Sequence, residues 1–235
     1  MIEAAMLRFP KAIVFDLDGT LIDSRGDIAA ACNHALVAAG RAALPVATIS
    51  TMVGDGARML VSRAFELPQD PAEIDRALEH FHAYYNQNPA AFSTYLPGAL
   101  DALKTLHTRG NVKLALATNK PRPATLAVLA AMDMAKYFEA VTAGGDGPLK
   151  PAPDPLKRIL IELATDAADA WMVGDGPQDI SAGKAAGCAT IAVGGGFAPR
   201  ARVDALVPDR FLDSMTELVP LLDSMVDPPL DSPRA

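Results

Sequence analysis

Short, almost wholly apolar runs recur along the 235-residue chain, and longer stretches with helical spacing separate them. An unbroken apolar run is typical of a strand whose sheet is covered by helices on both faces, because both sides of such a strand are buried. Runs of this kind occupy residues 11–15, 112–117, 170–173 and 189–193, with a weaker one at 139–143. The alternation predicts an α/β fold built on a doubly wound parallel sheet.

Helical patterns lie between these runs, at residues 98–108, 123–132, 155–163 and 177–186. Asp154 followed by Pro155 predicts a helix start, because aspartate is a favoured N-cap and proline is tolerated in the first turn. Arg109-Gly110 predicts a helix end.

One region departs from this alternation. Nearly a hundred residues separate the first run from the one at 112–117, and they contain only helical patterns, at residues 27–39, 49–65 and 72–85. A single crossover between strands needs far less chain. We therefore expect an all-helical domain, residues 22–92, inserted after the first strand of a domain formed by residues 1–21 and 93–222. The Pro-rich residues 223–235 are expected to be disordered.

The overall charge and the absence of long apolar runs exclude some classes of protein. A formal net charge of -7 argues against a general nucleic-acid-binding protein, which would present a basic surface. No apolar run approaches the roughly 20 residues of a membrane helix, and residues 1–11 do not resemble a signal peptide. Cys32 and Cys188 are far apart in sequence and are expected to be buried free thiols. We expect a cytoplasmic monomer or homodimer without nucleic-acid or membrane partners.

Polar side chains follow four of the predicted strands. In open α/β sheets ligands bind beyond the carboxyl ends of the strands, so these side chains are expected to share one site. In chain order they are Asp16, Asp18 and Thr20, then Thr118, Asn119 and Lys120, then Lys150, and finally Asp175 and Asp179.

These residue types suit phosphoryl transfer. Clustered carboxylates favour Mg²⁺, which is commonly held by carboxylates together with phosphate oxygens. A carboxylate can also act as the nucleophile, and a second acid can exchange a proton with the leaving oxygen and with water. A hydroxyl and a lysine would bind the phosphoryl oxygens and stabilise developing charge.

The stretch FDLDGTLID resembles the signature of the haloacid dehalogenase superfamily in its phosphatase form. TNKP, KPAPDP and GDGPQD are similar to the other three motifs of that family, in the same order, and the resemblance extends to about Leu222. Within the family, the stretches VGDGARMLV, TNKPRPAT, MAKYFEAVTAGGD and AGKAAGC resemble the phosphoglycolate phosphatase-like branch. The expected helical insertion lies where this family carries a small helical cap, of the type called C1.

The resemblance implies a role for each motif residue. Asp16 would be the nucleophile, Asp18 the general acid/base, and Lys150 the cation that neutralises the nucleophile and the phosphate. Thr118 would bind the phosphoryl group together with the Asn119 backbone. Mg²⁺ would be held by Asp16, the Asp18 carbonyl and Asp175, and Asp179 would support the metal through water or a neighbouring residue. In the cap, the substrate-facing residues would be Gly54, Gly56 and Arg58.

The resemblance further implies a Mg²⁺-dependent phosphomonoesterase that acts on a small phosphorylated metabolite, with 2-phosphoglycolate as the first candidate. Asp18 favours a phosphatase over a dehalogenase, because an alkoxide leaving group needs a proton and a halide does not. The substrate could also be an amino-sugar 6-phosphate, another sugar phosphate or pyrophosphate. A phosphomutase, which uses the same chemistry, is a further alternative. A phospho-aspartate signalling module is a different class, but receiver domains are shorter and have no cap. An inactive binding protein is a further alternative.

Three positions differ from the family pattern. Gly176 stands where a serine or threonine is usual, the loop before Lys150 is short, and GGGFAPR replaces the usual ending after the last core strand.

Overall fold

The computed structural model describes residues 7–66 and 71–225. Its eight strands, numbered in chain order, are β1 (Ala12–Phe15), β2 (Ile22–Asp23), β3 (Thr94–Tyr95), β4 (Lys113–Pro121), β5 (Ala140–Gly144), β6 (Ala170–Gly174), β7 (Ala189–Val193) and β8 (Arg210–Leu212). Six of them form one parallel sheet in the order β5-β4-β1-β6-β7-β8. All five predicted strands are confirmed. The short strands β2, β3 and β8 lack an apolar run and were not predicted.

Helices cover both faces of this sheet, as a doubly wound fold requires. The helices outside the inserted region are α5 (Ala99–Arg109), α6 (Arg122–Ala131), α7 (Asp154–Glu162), α8 (Pro177–Ala186), α9 (Arg200–Asp204) and α10 (Leu218–Asp223). Successive side chains of β1 enter different cores, Ile13 and Phe15 on one face and Ala12 and Val14 on the other. All four are fully buried, which explains the unbroken apolar run. Helix α7 begins at Asp154 itself, one residue before the predicted start.

Between β2 and β3 the described residues form four helices, and we call this stretch the helical insert: α1 (Arg25–Ala38), α2 (Val46–Ser50), α3 (Ala57–Ala64) and α4 (Pro71–Gln87). The single helical pattern predicted at 49–65 is wrong in extent, because two short helices occupy it. Gly54 and Gly56, at φ of 124° and 86°, lie between them. These values fall in the left-handed region that favours glycine, so the chain cannot continue as one helix there.

The two ends of the helical insert are joined to each other. β2 and β3 pair antiparallel, with Ile22 opposite Tyr95 and Asp23 opposite Thr94. Beside them the buried Asp27 carboxylate accepts hydrogen bonds from the Phe92 N–H at 3.0 Å and the Ser93 hydroxyl at 2.5 Å. The chain therefore enters and leaves the insert through a two-stranded connection. The division into two domains at residues 22 and 93 stays a prediction.

The predicted disordered tail lies mostly outside the described residues. Its first residue, Asp223, is the last residue of α10 and pairs with Arg109 at 2.6 Å, so the expected start at 223 is wrong. Residues 226–235 lie outside the described range. Over the part of the chain that is described, no helix combines the length and apolar character needed to cross a membrane.

Candidate active site

Asp16 lies directly after β1, at the carboxyl edge of the sheet. Its backbone N–H donates to the Val173 carbonyl at 2.9 Å, which continues the pairing of β1 with β6. Its carboxylate accepts a hydrogen bond from the Lys150 ammonium at 2.7 Å. The same ammonium donates to Asp179 at 2.7 Å and to the Ala117 carbonyl at 2.5 Å. One buried cation therefore bridges two buried carboxylates from opposite ends of the sequence.

The electrostatics of this cluster are dominated by burial. Burial raises the pKa of Asp16; Lys150 opposes this shift, while Asp179 and Asp175 add to it. Burial alone would lower the pKa of Lys150, but Asp16 and Asp179 outweigh it and the pKa is raised. Lys150 is therefore an ammonium at neutral pH, and it stabilises negative charge where Asp16 meets its ligand.

Asp175 is held by the loops around it. Its carboxylate accepts hydrogen bonds from the Thr20 hydroxyl at 3.0 Å and the Phe197 N–H at 2.7 Å. The unusual GGGFAPR segment therefore supplies a backbone donor to the site. Gly19 has a φ of 90°, and a Cβ there would lie 2.6 Å from the Asp175 carboxylate, so glycine permits this close approach.

Three carboxylates form a candidate cation site. Asp16, Asp175 and Asp179 each place an oxygen within 4.8 Å of the others. Burial, with Asp179 nearby, raises the pKa of Asp175 to about 6. Three carboxylates beside the single ammonium of Lys150 leave this group with surplus negative charge when all are ionised. Oxygen donors with surplus negative charge fit a hard divalent cation such as Mg²⁺.

Asp179 is oriented by the residue that departs from the family pattern. The Gly176 N–H donates to the Asp179 carboxylate at 2.9 Å at the start of α8. A backbone N–H therefore holds the Asp179 carboxylate, and it belongs to Gly176, the residue that stands where the family usually has serine or threonine.

The Asp18 carboxylate lies outside the group of three and has its own partners. It accepts hydrogen bonds from the Ser24 hydroxyl at 2.5 Å and from the Lys120 ammonium at 3.0 and 3.1 Å. Lys120 is buried, and its ammonium lies 4.4 Å from the centre of the Tyr85 ring. The sequence placed Lys120 at the shared site without a specific role, and it did not single out Ser24, which follows the first motif directly.

Thr118 and Asn119 lie at an irregularity in β4. The register of β4 against β5 shifts between Ala117 and Pro121, which frees the residues in between from the regular ladder. Thr118 is buried at the cavity described below, and its hydroxyl accepts the Lys120 N–H at 3.2 Å.

The Asn119 side chain fixes the short loop that carries Lys150. It accepts the Lys150 N–H at 2.8 Å and donates to the Lys150 carbonyl at 2.8 Å. It also donates to the Gly54 carbonyl of the helical insert at 2.9 Å. These contacts bring Lys150 to Asp16 despite the short loop.

A cavity of about 200 Å³ lies between the sheet edge and the helical insert. Its lining includes all but Thr20 of the residues expected to share the site: Asp16, Asp18, Thr118, Asn119, Lys120, Lys150, Asp175 and Asp179. Gly54 and Gly56 line it from the insert, as expected. A volume of this size suits a small ligand.

Arg58 does not lie at this cavity, contrary to the expectation. Its side chain is 61% exposed and pairs with Asp75 on the surface of the insert. The cavity is lined instead by Arg202 of α9 and Tyr85 of α4, which sequence reasoning missed. Neither residue belongs to a recognised motif, so no signal in the sequence could have found them.

Comparisons with known proteins agree with this geometry. The family model described as haloacid dehalogenase-like hydrolase matches residues 13–193. A plasmid phosphoglycolate phosphatase of Cupriavidus necator is 36% identical over 214 residues, which cover 90% of this chain and 92% of that protein. A phosphoglycolate phosphatase of Rhodospirillum rubrum is 38% identical over 208 residues, 84% of this chain and 86% of that protein.

Solved structures give the same result. A protein described as a predicted phosphoglycolate phosphatase from Haemophilus somnus superposes with a TM-score of 0.83 at 27% identity, over 92% of this chain and 99% of that chain. The four motifs, the sheet order and the extent of these similarities lead to one conclusion: the chain belongs to the haloacid dehalogenase-like hydrolases.

Proposed function

We propose that this hydrolase is a Mg²⁺-dependent phosphomonoesterase that cleaves a small phosphate ester, 2-phosphoglycolate first among the candidates, through a phosphoryl group carried on Asp16. The observation that supports this most is the contact between Asp16 and Lys150 beside two further carboxylates, all at one end of an enclosed cavity.

The carboxylates of Asp16, Asp175 and Asp179 would hold the metal, together with the Asp18 carbonyl. When bound, Mg²⁺ would neutralise negative charge on the phosphate oxygens and on the carboxylates, which favours approach of the Asp16 carboxylate to the phosphate ester. The surplus of carboxylate over ammonium charge in the group supports this assignment.

In the proposed first step, an Asp16 oxygen attacks phosphorus and the bond from phosphorus to the ester oxygen breaks. Lys150 and the Thr118 hydroxyl stabilise the charge on the transferring phosphoryl oxygens. Asp18 gives its proton to the leaving oxygen, so the product departs as an alcohol. In the second step Asp18 takes a proton from water while that water attacks phosphorus. The bond from phosphorus to the Asp16 oxygen breaks, which releases phosphate and restores Asp16 as a free carboxylate.

Asp18 must change partners during this cycle. Its carboxylate accepts hydrogen bonds from Lys120 and Ser24 in the present arrangement, which is the contact pattern of an ionised acid. To act as a proton donor it must turn toward the leaving oxygen and away from Lys120. We therefore assign Lys120 and Ser24 the task of holding Asp18 in its ionised form, after it has given its proton to the leaving oxygen and before it takes one from water.

The helical insert would act as the cap that encloses the substrate. Gly54 meets Asn119, and Asp55 accepts a hydrogen bond from Gln178 at 2.6 Å, so the insert closes over the sheet edge. Closure excludes bulk water during transfer and limits the substrate to a small ester. The choice of 2-phosphoglycolate is supported by the relatives named above. A cytoplasmic location and a monomeric or homodimeric state stay predictions.

The proposal is tested by measuring phosphate release from 2-phosphoglycolate, sugar phosphates, an amino-sugar 6-phosphate and pyrophosphate, with Mg²⁺ and with excess chelator. We expect release to require Mg²⁺ and kcat/KM to favour 2-phosphoglycolate by at least about tenfold, equivalent to about 1.4 kcal/mol. Asp16→Asn, which keeps the size of the side chain, is the control for contaminating phosphatase.

Each outcome decides between the alternatives. Faster hydrolysis of another ester would retain the phosphatase and reject 2-phosphoglycolate. Transfer of phosphate between positions of one sugar, without release, would indicate a mutase. Absence of reaction with every ester at saturating Mg²⁺ would contradict the proposal.

A further inference from the structure

Tyr85 is a polar residue of the cavity to which the proposed chemistry gives no task. It lies in the last turns of α4, is 1% exposed, and lines the cavity from the helical insert. Its hydroxyl is buried beside the Lys120 ammonium, which can only donate to it, and its O–H meets no acceptor within the described ranges 7–66 and 71–225. A buried polar group without a partner costs about 1–3 kcal/mol, so such groups are rare and need an explanation.

The surroundings of Tyr85 indicate what the missing partner is. Burial raises the pKa of Tyr85 to about 12, Lys120 opposes this shift, and Asp18 and Asp27 add to it. The phenol is therefore protonated at neutral pH and can donate a hydrogen bond. The Lys120 ammonium, 4.4 Å from the ring centre, also favours negative charge nearby. A donor beside a cation is best matched by an anionic oxygen.

We infer that Tyr85 is a specificity-determining residue, whose hydroxyl donates to an anionic oxygen at the non-phosphate end of the substrate while the phosphoryl group lies at Asp16. The inference rests on the proposed function and adds to it a contact from the helical insert. A carboxylate is the group that fits, since it accepts from the phenol and is attracted by Lys120. The contact would give the phenolic O–H an acceptor that the described residues do not supply.

The test compares Tyr85→Phe with the wild-type enzyme on two esters that differ only at the far end. 2-Phosphoglycolate carries a carboxylate there, and ethyl phosphate carries a methyl group. Phenylalanine keeps the ring that lies against Lys120 and the stacking on Phe81, and removes only the hydroxyl. Tyr84→Phe is the matched control, because Tyr84 is the preceding residue of α4 and stacks on His34 away from the cavity lining.

We expect Tyr85→Phe to raise KM for 2-phosphoglycolate about tenfold and to change kcat/KM for ethyl phosphate by less than about twofold. Tyr84→Phe is expected to leave both values unchanged. The melting temperature of Tyr85→Phe without substrate should equal or exceed that of the wild type, because a buried O–H without an acceptor has been removed.

Equal losses on both esters, unchanged kinetics on both, or a lower melting temperature would overturn the inference. A lower melting temperature would mean that the hydroxyl is bonded within the fold. If the wild-type enzyme prefers another ester, the same comparison is made with that ester and its analogue without the distal oxygen group. Failure of 2-phosphoglycolate as substrate is therefore distinguishable from failure of the Tyr85 assignment.

Discussion

At the scale of single residues, the site is a balance of buried charges. Lys150 bridges Asp16 and Asp179, while the Asp175 carboxylate depends on the Thr20 hydroxyl and on the backbone of the 194–199 loop. Buried carboxylates are tolerated only where donors or cations compensate for lost hydration. Burial, with Asp179 nearby, raises the pKa of Asp175 to about 6, so the donors around it do not fully compensate for the lost hydration.

The two thiols give a prediction at the same scale. Cys32 and Cys188 are 0% and 6% exposed, and burial raises the pKa of each from 9.0 to about 11. Since the thiolate is the reactive form, a thiol pKa of about 11 instead of 9.0 leaves about a hundredfold less thiolate at pH 8. We expect the native protein to react with a disulfide reagent at least about a hundredfold more slowly than the protein in guanidinium chloride. A rapidly reacting thiol in the native protein would contradict the assignment of both as buried.

At the scale of single residues, the sequence predicted the site residues that lie in the recognised motifs. Residues directly after apolar strands were predicted correctly as neighbours, because parallel strands place their carboxyl ends at one edge. The prediction that Arg58 lines the cavity was wrong, because helical periodicity does not show which side of a short helix faces the site. Tyr85 and Arg202 reach the cavity through the packing of the insert and of α9, which no local pattern encodes.

At the scale of elements, the strands were predictable and several connections were not. Each unbroken apolar run forms a central strand of the sheet, because both of its faces are buried. The pattern at 49–65 continues apolar spacing across Gly54 and Gly56, whose positive φ values break the helix. The strands β2, β3 and β8 have two or three residues each, too few to show a periodicity.

The connection to the helical insert gives an element-scale prediction. Asp27→Ala removes the acceptor of the Phe92 N–H and the Ser93 hydroxyl, both next to the paired strands β2 and β3. Leaving these donors unpaired should lower the free energy of unfolding by about 2–3 kcal/mol in urea denaturation. Asp204→Ala is the control, because its ion pair with Arg200 is exposed and should change stability by less than about 0.5 kcal/mol. Equal, small effects of both substitutions would show that the Asp27 contacts contribute little.

At the scale of the whole molecule, the site needs both the sheet edge and the helical insert. The sheet edge supplies the reacting carboxylates, and the insert closes the cavity through Gly54, Asp55 and Tyr85. The two connecting strands β2 and β3 are short, so movement of the insert about them would open the cavity while the carboxylates keep their places. Under the proposed function, the sheet edge would determine the chemistry and the insert would determine which ester is admitted.

The central claim is that Asp16 itself carries the phosphoryl group. It is tested most directly by mixing enzyme with ³²P-labelled 2-phosphoglycolate, or with the ester that the wild type prefers, quenching in acid within a turnover, and mapping the label.

We predict a label on the peptide that contains Asp16, released by hydroxylamine as expected of an acyl phosphate. In Asp16→Asn the label should be absent and phosphate release should fall by at least about a thousandfold. A label on another residue, or phosphate release by Asp16→Asn at the wild-type rate, would contradict the account.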